Sequence, residues 1–380
     1  MDFIAHNREA KAVWEAFHSG RPVRMPVTLG INPRFYLLDS ALNTEHISFQ
    51  QYAENAEIMA EVQIRNAHYI RHHIYADHEM GLPDDGWRIY VDLQNTYEAA
   101  WFGAKVVYRR GNSPFTEPLL TDKRKNTLFD AGIPDPFGGC YTRALQMYEQ
   151  MQALAGKKEY FGRPIVEAGL PSYGTDGPMT VACNLRGTTQ FCLDIYEDPD
   201  YAERLLDFIT DATIARIRAW DHHFFGRESR DSFGFADDSI QLLSRDVYHD
   251  LILPRHRRLV EVLSNGTKKN SIHLCGDTTR HFQSIRDELN VASFDTGFPV
   301  RHGELAAELG PDITISGGIH VDLLLGGTPQ QVAAETRRII DEVKPVTRRF
   351  IMREANNLAP RTPPENIAAM YETVRTYGMY

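Results

Sequence analysis

Between residues 232 and 377 the chain repeats one unit: a short apolar run, a polar or glycine stop, then a helical segment. The runs are 232–238, 270–275, 291–295, 313–318 and 349–354, and helical patterns cover 244–263, 279–289, 303–309, 329–343 and 363–377. Strands that are apolar throughout and separated by helices read as a parallel sheet buried on both faces. Repetition of the unit along 380 residues favours an α/β fold closed into a (β/α)8 TIM-type barrel over an open sheet. In such a barrel the C-terminal ends of all strands meet at one mouth, where active sites are built. Asp237, Asp238, His273, Cys275, Asp295 and Glu354 all fall at such ends.

The first half of the chain is less regular. Residues 1–19 pattern as an amphipathic helix leading into Pro26-Val27-Thr28-Leu29-Gly30, a plausible first strand, and residues 48–75 as one long polar helix. Residues 89–93 and 104–110 read as two strands, an antiparallel pair or lid decorating the barrel. A strand at 164–168 precedes helices at 177–193 and 199–226, the second opened by Asp198 as N-cap and Pro199 at the first helical position. Thr362-Pro363-Pro364-Glu365 reads as another start, with Thr362 as N-cap and Glu365 completing a capping box. With no linker or low-complexity run, residues 1–380 read as a single domain. Residues 1–120 supply N-terminal helices and lid-like strands, and residues 160–380 the regular β/α units.

The run Asn270-Ser271-Ile272-His273-Leu274-Cys275 ends at Gly276. Residues two apart on a strand share a face, so His273 and Cys275 point the same way. Imidazole nitrogen and thiolate sulfur are preferred zinc ligands. An isolated His-x-Cys is more often a buried cysteine beside a core histidine. The acidic residues at the neighbouring strand ends raise the metal reading to about even weight.

Composition narrows the partners. The chain is 42% hydrophobic and 24% charged, with a net charge of −10, ordinary for a globular protein with a sizeable core. The negative charge argues against a nucleic-acid groove and against an anionic membrane surface. No apolar run approaches the length of a membrane span. The N-terminus lacks a signal-peptide pattern, and the four cysteines show no disulfide framework, which points to a reducing cytoplasm.

Several phrases together resemble the uroporphyrinogen decarboxylase superfamily. They are Phe235-Ala236-Asp237-Asp238-Ser239-Ile240-Gln241, His273-x-Cys275-Gly276, Ser293-Phe294-Asp295-Thr296-Gly297, Ser316-Gly317-Gly318, Leu325-Gly326-Gly327-Thr328-Pro329 and Asn357-Leu358-Ala359-Pro360-Arg361-Thr362-Pro363. The resemblance covers residues 160–380 well and residues 5–120 more loosely. It implies a (β/α)8 barrel with its site at the C-terminal mouth. One branch of the superfamily holds decarboxylases that use no metal. Another holds methyltransferases that work with corrinoid proteins or thiols and bind zinc through His-x-Cys and a later Cys. The chain matches that second branch at His273 and Cys275. It departs where the methyltransferase pattern runs Gly-Cys-Gly-Leu-x-Pro-x-Thr-Pro: Asn356 stands where the methyltransferases have Cys and the decarboxylases His. The Arg-rich segment that grips porphyrinogen carboxylates is also absent, with Arg34 a lone remnant, so a porphyrinogen substrate is not expected.

A zinc ion held by His273 and Cys275 needs a third protein ligand and an open fourth position. Asp295, on the next strand, is the first candidate, with Glu354, Asp237 and Asp238 in reserve. One of the Asp237-Asp238 pair is also a candidate to orient His273. The ordinary reading of these acids is a strand-end salt bridge or turn, at about even weight. Asp238 and Glu354 are the candidate catalytic acids. Asn32, Arg34, Glu98, Tyr173, Asp176 and Asn356 are the candidate substrate contacts, although Asn32, Arg34, Glu98, Tyr173 and Asp176 taken singly are more often structural. The function this supports is zinc-assisted methyl transfer between a small-molecule donor and a thiol or a corrinoid carried by a partner protein. A cofactor-free decarboxylase or related lyase is the alternative, and a non-catalytic binding barrel the third reading. A homodimer is the usual state of such relatives.

Overall fold

The computed structural model describes residues 2–380. The strands are β1 (Trp87–Tyr90), β2 (Val106–Val107), β3 (Phe115–Thr116), β4 (Glu159–Tyr160), β5 (Arg163–Gly169), β6 (Gly234–Ala236), β7 (Asn270–Leu274), β8 (Val291–Thr296), β9 (Thr314–Ile319) and β10 (Phe350–Glu354). β6 to β10 form a continuous parallel ladder in sequence order, and β1 pairs parallel with β5. Residues 26–28 join the far edge of the ladder: Val27 bridges Met352, with Thr28 N on Met352 O at 3.0 Å and Met352 N on Pro26 O at 2.9 Å. On the other side Ala236 N donates to Thr175 O, just past β5, at 3.2 Å. The fold is a TIM-type barrel whose strands alternate with helices, as the repeated unit predicts.

Strand interiors are apolar because helices cover their outer face and side chains fill the barrel. One hydrophobic cluster runs from Met25 to Val374 and includes Phe235, Ile272, Phe294, Ile315 and Phe350, one from each strand of the ladder. The N-terminal part is tied in by charge. Arg24, fully buried, makes a two-pronged pair with Asp77 at 2.6 and 2.8 Å, and Asp77 also accepts Val27 N at 2.7 Å. No helix among the described residues is long and apolar enough to cross a membrane.

Several local expectations are corrected. The segment expected as a decorating strand near 89–93 is β1, a parallel member of the barrel; the antiparallel ribbon is instead β2 with β3. The long helix near 48–75 divides at Asn55, whose side chain caps the helix Ala56–His73 by accepting Glu57 N and Ile58 N. Gly187, at φ +89°, splits the expected 177–193 helix into Pro178–Arg186 and Thr188–Glu197. The last helix, Pro364–Tyr377, starts one residue late, and the Thr362 hydroxyl donates to Ala359 O rather than capping it. Asp198 does cap Pro199–Phe225, accepting Tyr201 N at 3.3 Å.

Candidate active site at the barrel mouth

β7 delivers His273 and Cys275, and its registry with its neighbours decides what they meet. His273 pairs with Ala236 of β6 and with Asp295 of β8, so the His273 and Asp295 side chains rise side by side. Gly276, at φ +74°, turns the chain sharply after Cys275; a Cβ there would collide with the Gln241 side chain. Two residues past β6, Asp238 accepts the Cys275 backbone N–H on Oδ1 at 2.8 Å.

The result is a cluster of three ligand atoms, one each from Asp238, His273 and Cys275, all within 4.8 Å of one another and half-buried. His273 Nε2 lies 3.1 Å from Cys275 Sγ and 3.9 Å from Asp238 Oδ1. The other imidazole nitrogen, Nδ1, sits 2.7 Å from Asp295 Oδ2, and the same oxygen accepts from Arg353 Nη1 at 2.6 Å. Asp295 therefore lies behind the histidine rather than in the three-atom cluster, and its Oδ1 has no partner. Burial works against charge on His273, but Asp295 and Cys275 outweigh it and hold the imidazolium up to about 10. Burial pushes the Cys275 thiol up, against the pull of His273.

Arg353 links this pair to a second carboxylate. Its Nη2 donates to Glu354 Oε1 at 2.9 Å and to Asn356 O at 2.5 Å. Glu354 is fully buried, accepts Gly30 N on Oε1 at 2.8 Å, and leaves Oε2 unpartnered. Burial raises its carboxyl to about 7 despite Arg353. A Cβ at Gly30 would lie 2.5 Å from Arg353 Nη2 and so displace the guanidinium from its partners. Asp176, after β5, is likewise raised to about 7, by burial and then by the negative charges of Glu98, Asp238 and Asp237.

Residues 9–377 match the family model described as Uroporphyrinogen decarboxylase (URO-D). The chain belongs to the uroporphyrinogen decarboxylase family. Similar proteins carry two chemistries in their names. A "Methylated-thiol--coenzyme M methyltransferase" of Methanosarcina mazei is 30% identical over 199 residues, 50% of this chain and 49% of that protein. A "Methylcobamide:CoM methyltransferase" of the same organism is 24% identical over 205 residues, 53% of this chain and 56% of the relative. The match thus spans about half the length of these methyltransferases. A "Uroporphyrinogen decarboxylase" of Dechloromonas aromatica is 24% identical over 302 residues, 76% of this chain and 78% of the other. Among solved structures, a "methyltransferase from Methanosarcina mazei" shares the fold with a TM-score of 0.63 at 18% identity, over 97% of this chain and 98% of that one.

Within this family frame the remaining candidates separate. Asp237 and Asp238 are neighbours with different surroundings. Asp237 is fully buried and accepts Met179 N, Thr180 N, the Thr180 hydroxyl and His256 Nε2, so it anchors the start of Pro178–Arg186 and does not orient His273. Glu98 has no oxygen left for a ligand: Arg216 Nη2 is on Oε1 at 2.5 Å, and the Thr175 hydroxyl and Asp176 N are on Oε2. Its role is to hold the loop that carries Asp176. Tyr173 donates to Asp221 at 3.0 Å and stacks on Trp220, which commits its hydroxyl and ring. Arg34 is half-buried, with its guanidinium on Gln94 and Asn95 at 2.6 and 2.9 Å, and Asn32 accepts Arg34 N. Asn356 sits at φ +127° with its side-chain oxygen taken by Asn357. Sequence reasoning missed Arg353; a lone arginine inside the apolar strand Phe350–Glu354 is the signal that marks it.

Proposed function

We propose that this chain is a methyltransferase in which Asp238, His273 and Cys275 hold a zinc ion. The methyl group would pass between a small-molecule donor and a thiol or a corrinoid on a partner protein. One observation carries the reading: three ligand atoms of zinc-compatible type converge at the barrel mouth, with the far nitrogen of the histidine already held by a carboxylate. Ligand atoms in a tetrahedral zinc site lie about 3.3–3.8 Å apart, given metal–ligand distances of about 2.0–2.3 Å. The 3.1 and 3.9 Å separations bracket that range. Three protein ligands leave the fourth position open to a reactant. Asn356 removes one thiolate from the pattern of the methyltransferases this chain resembles, and Asp238 restores the lost negative charge.

When bound, the zinc supplies Lewis acidity to a thiol sulfur or an ether oxygen. The chain does the rest. Asp295, held by Arg353, keeps the Nδ1 proton of His273 and so turns the Nε2 lone pair toward the cluster. Asp176, half-buried, can keep a proton near neutrality and deliver it to a departing alkoxide or thiolate, while the fully buried Glu354 holds its own proton beside Arg353. The same near-neutral acid, Asp176, favours, as a second reading, a lyase that protonates the carbon losing a carboxylate.

Metal analysis with a transfer assay separates the two. The purified protein is expected to carry about one zinc per chain, held by the three ligands with the fourth position open. The metal should be lost in His273→Ala, Cys275→Ala and Asp238→Ala together with methyl transfer between cobalamin and thiols or methyl ethers. Zinc-free protein that decarboxylates a small acid at full rate sinks the methyltransferase reading.

A further inference from the structure

A second concavity opens on the same face of the barrel as the metal cluster but shares no residue with it. Its walls are segments that follow four strand ends. They are residues 37–50 after segment 26–28, the β2–β3 turn after β1, Leu325 after β9, and residues 359–361 after β10. The cleft measures about 720 Å³, within the range of small-molecule sites. Leu37, Phe49, Tyr108, Leu325 and Pro360 give it an apolar lining.

Arg109, Arg110 and Arg361 line the cleft as well, and no Asp or Glu does. All three are exposed. Among the described residues none of these guanidiniums has a carboxylate partner; Arg109 only lies over the Phe115 ring, at 4.8 Å. Of the acids within the wall segment 37–50, Glu45 pairs with Arg65 at 3.0 Å, and Asp39 accepts Ala41 N. In a chain of net charge −10, three unpaired arginines around an apolar cleft create a local positive potential. Guanidinium forks match phosphate and carboxylate oxygens in two-pronged contacts.

We propose that this cleft binds an amphiphilic anion: a small molecule with an aromatic or aliphatic body and either a phosphate group or two carboxylates. The apolar walls take the body and the arginines take the charge. The inference does not depend on zinc or on methyl transfer.

Calorimetric titration with phenyl phosphate and with phthalate tests it. Saturable one-to-one binding of at least one of them is expected, and whichever binds more tightly assigns the phosphate or the dicarboxylate. Affinity should fall roughly tenfold in Arg361→Ala and in the Arg109→Ala/Arg110→Ala double variant, the scale of one charge-assisted contact. It should weaken further between about 0.05 and 0.5 M salt and remain unchanged in His273→Ala. Thermal unfolding of the arginine variants should match the parent, because the replaced side chains are exposed. The proposal is overturned if neither probe saturates, if the arginine variants bind as the parent does, or if His273→Ala abolishes binding, which places the anion at the metal cluster. Binding of poly-glutamate with neither small probe competing also overturns it and makes the cleft a contact for an acidic protein surface.

Discussion

Asp295 and Asp238 exchange the places that chain order suggests for them. Asp295 follows the His273 strand directly and looks like a third ligand, yet the parallel registry sets it against Nδ1. Asp238 lies beyond β6 and arrives through its bond to the Cys275 N–H. A carboxylate behind a ligating histidine fixes ring orientation and raises ligand basicity. On the proposed zinc reading, Asp295→Asn should therefore retain the fold but weaken zinc binding by about 10–100-fold, measured by competition with a chromophoric chelator. An unchanged zinc affinity would remove Asp295 from the supporting role. His273 and Cys275 were legible in the sequence because alternation along one strand needs no neighbour. Asp237 and Asp238 were not separable, because adjacent residues at a strand end diverge according to backbone angles that only the packed loop sets. One became a buried anchor and the other a member of the cluster.

At the scale of elements, boundaries marked by a strong local signal were readable, and those inside a continuous pattern or dependent on a distant partner were not. Asp198-Pro199 announces a helix start through a capping carboxylate and a proline that needs no donor. Asp198 also takes Lys125 Nζ at 2.6 Å, but that pair lies half-buried at the surface, where such pairs add little. Asp198→Ala should cost about 1 kcal/mol, visible as a small fall in Tm; no change would show that Pro199 alone defines the start. The breaks at Asn55 and Gly187 rest on a capping side chain and a glycine at positive φ, but each falls inside a continuous helical pattern that masks it. β1 was mistaken for decoration because a four-residue strand carries little pattern, and its parallel partner β5 lies more than 70 residues away.

For the whole molecule, the buried Arg24–Asp77 pair ties the N-terminal part to the strand segment that joins β10. Removing Asp77 leaves the Arg24 charge buried with only Glu9, at 3.2 Å, to balance it. Asp77→Ala should cost about 3–5 kcal/mol, and adding Arg24→Met should recover much of the loss, which denaturant titration of both variants would check. Acid stability follows from three histidines. Burial lowers His78, His281 and His302 to about 4, from an ordinary value near 6.5. Below about 6.5 the unfolded chain protonates these three imidazoles and the folded chain does not, so their contribution to stability is full above that pH and falls as pH drops toward 4, offset in part by Asp176 and Glu354, whose raised carboxyls act in the opposite sense. His302→Gln should make the acid limb of Tm against pH shallower by about one proton; an unaltered slope would mean that His302 does not titrate on unfolding.

By itself the sequence determined the barrel, because a repeated apolar run and helix along the second half of the chain permits few other closed arrangements. It also determined that His273 and Cys275 share a face, since the two-residue period of a strand is local geometry. Only the tertiary structure decided which carboxylate joins them and which stands behind them, that Arg353 bridges Asp295 and Glu354, and that three arginines from distant segments surround one cleft. Those outcomes depend on registry between strands and on loops meeting across the barrel mouth, and no local pattern along the chain encodes either.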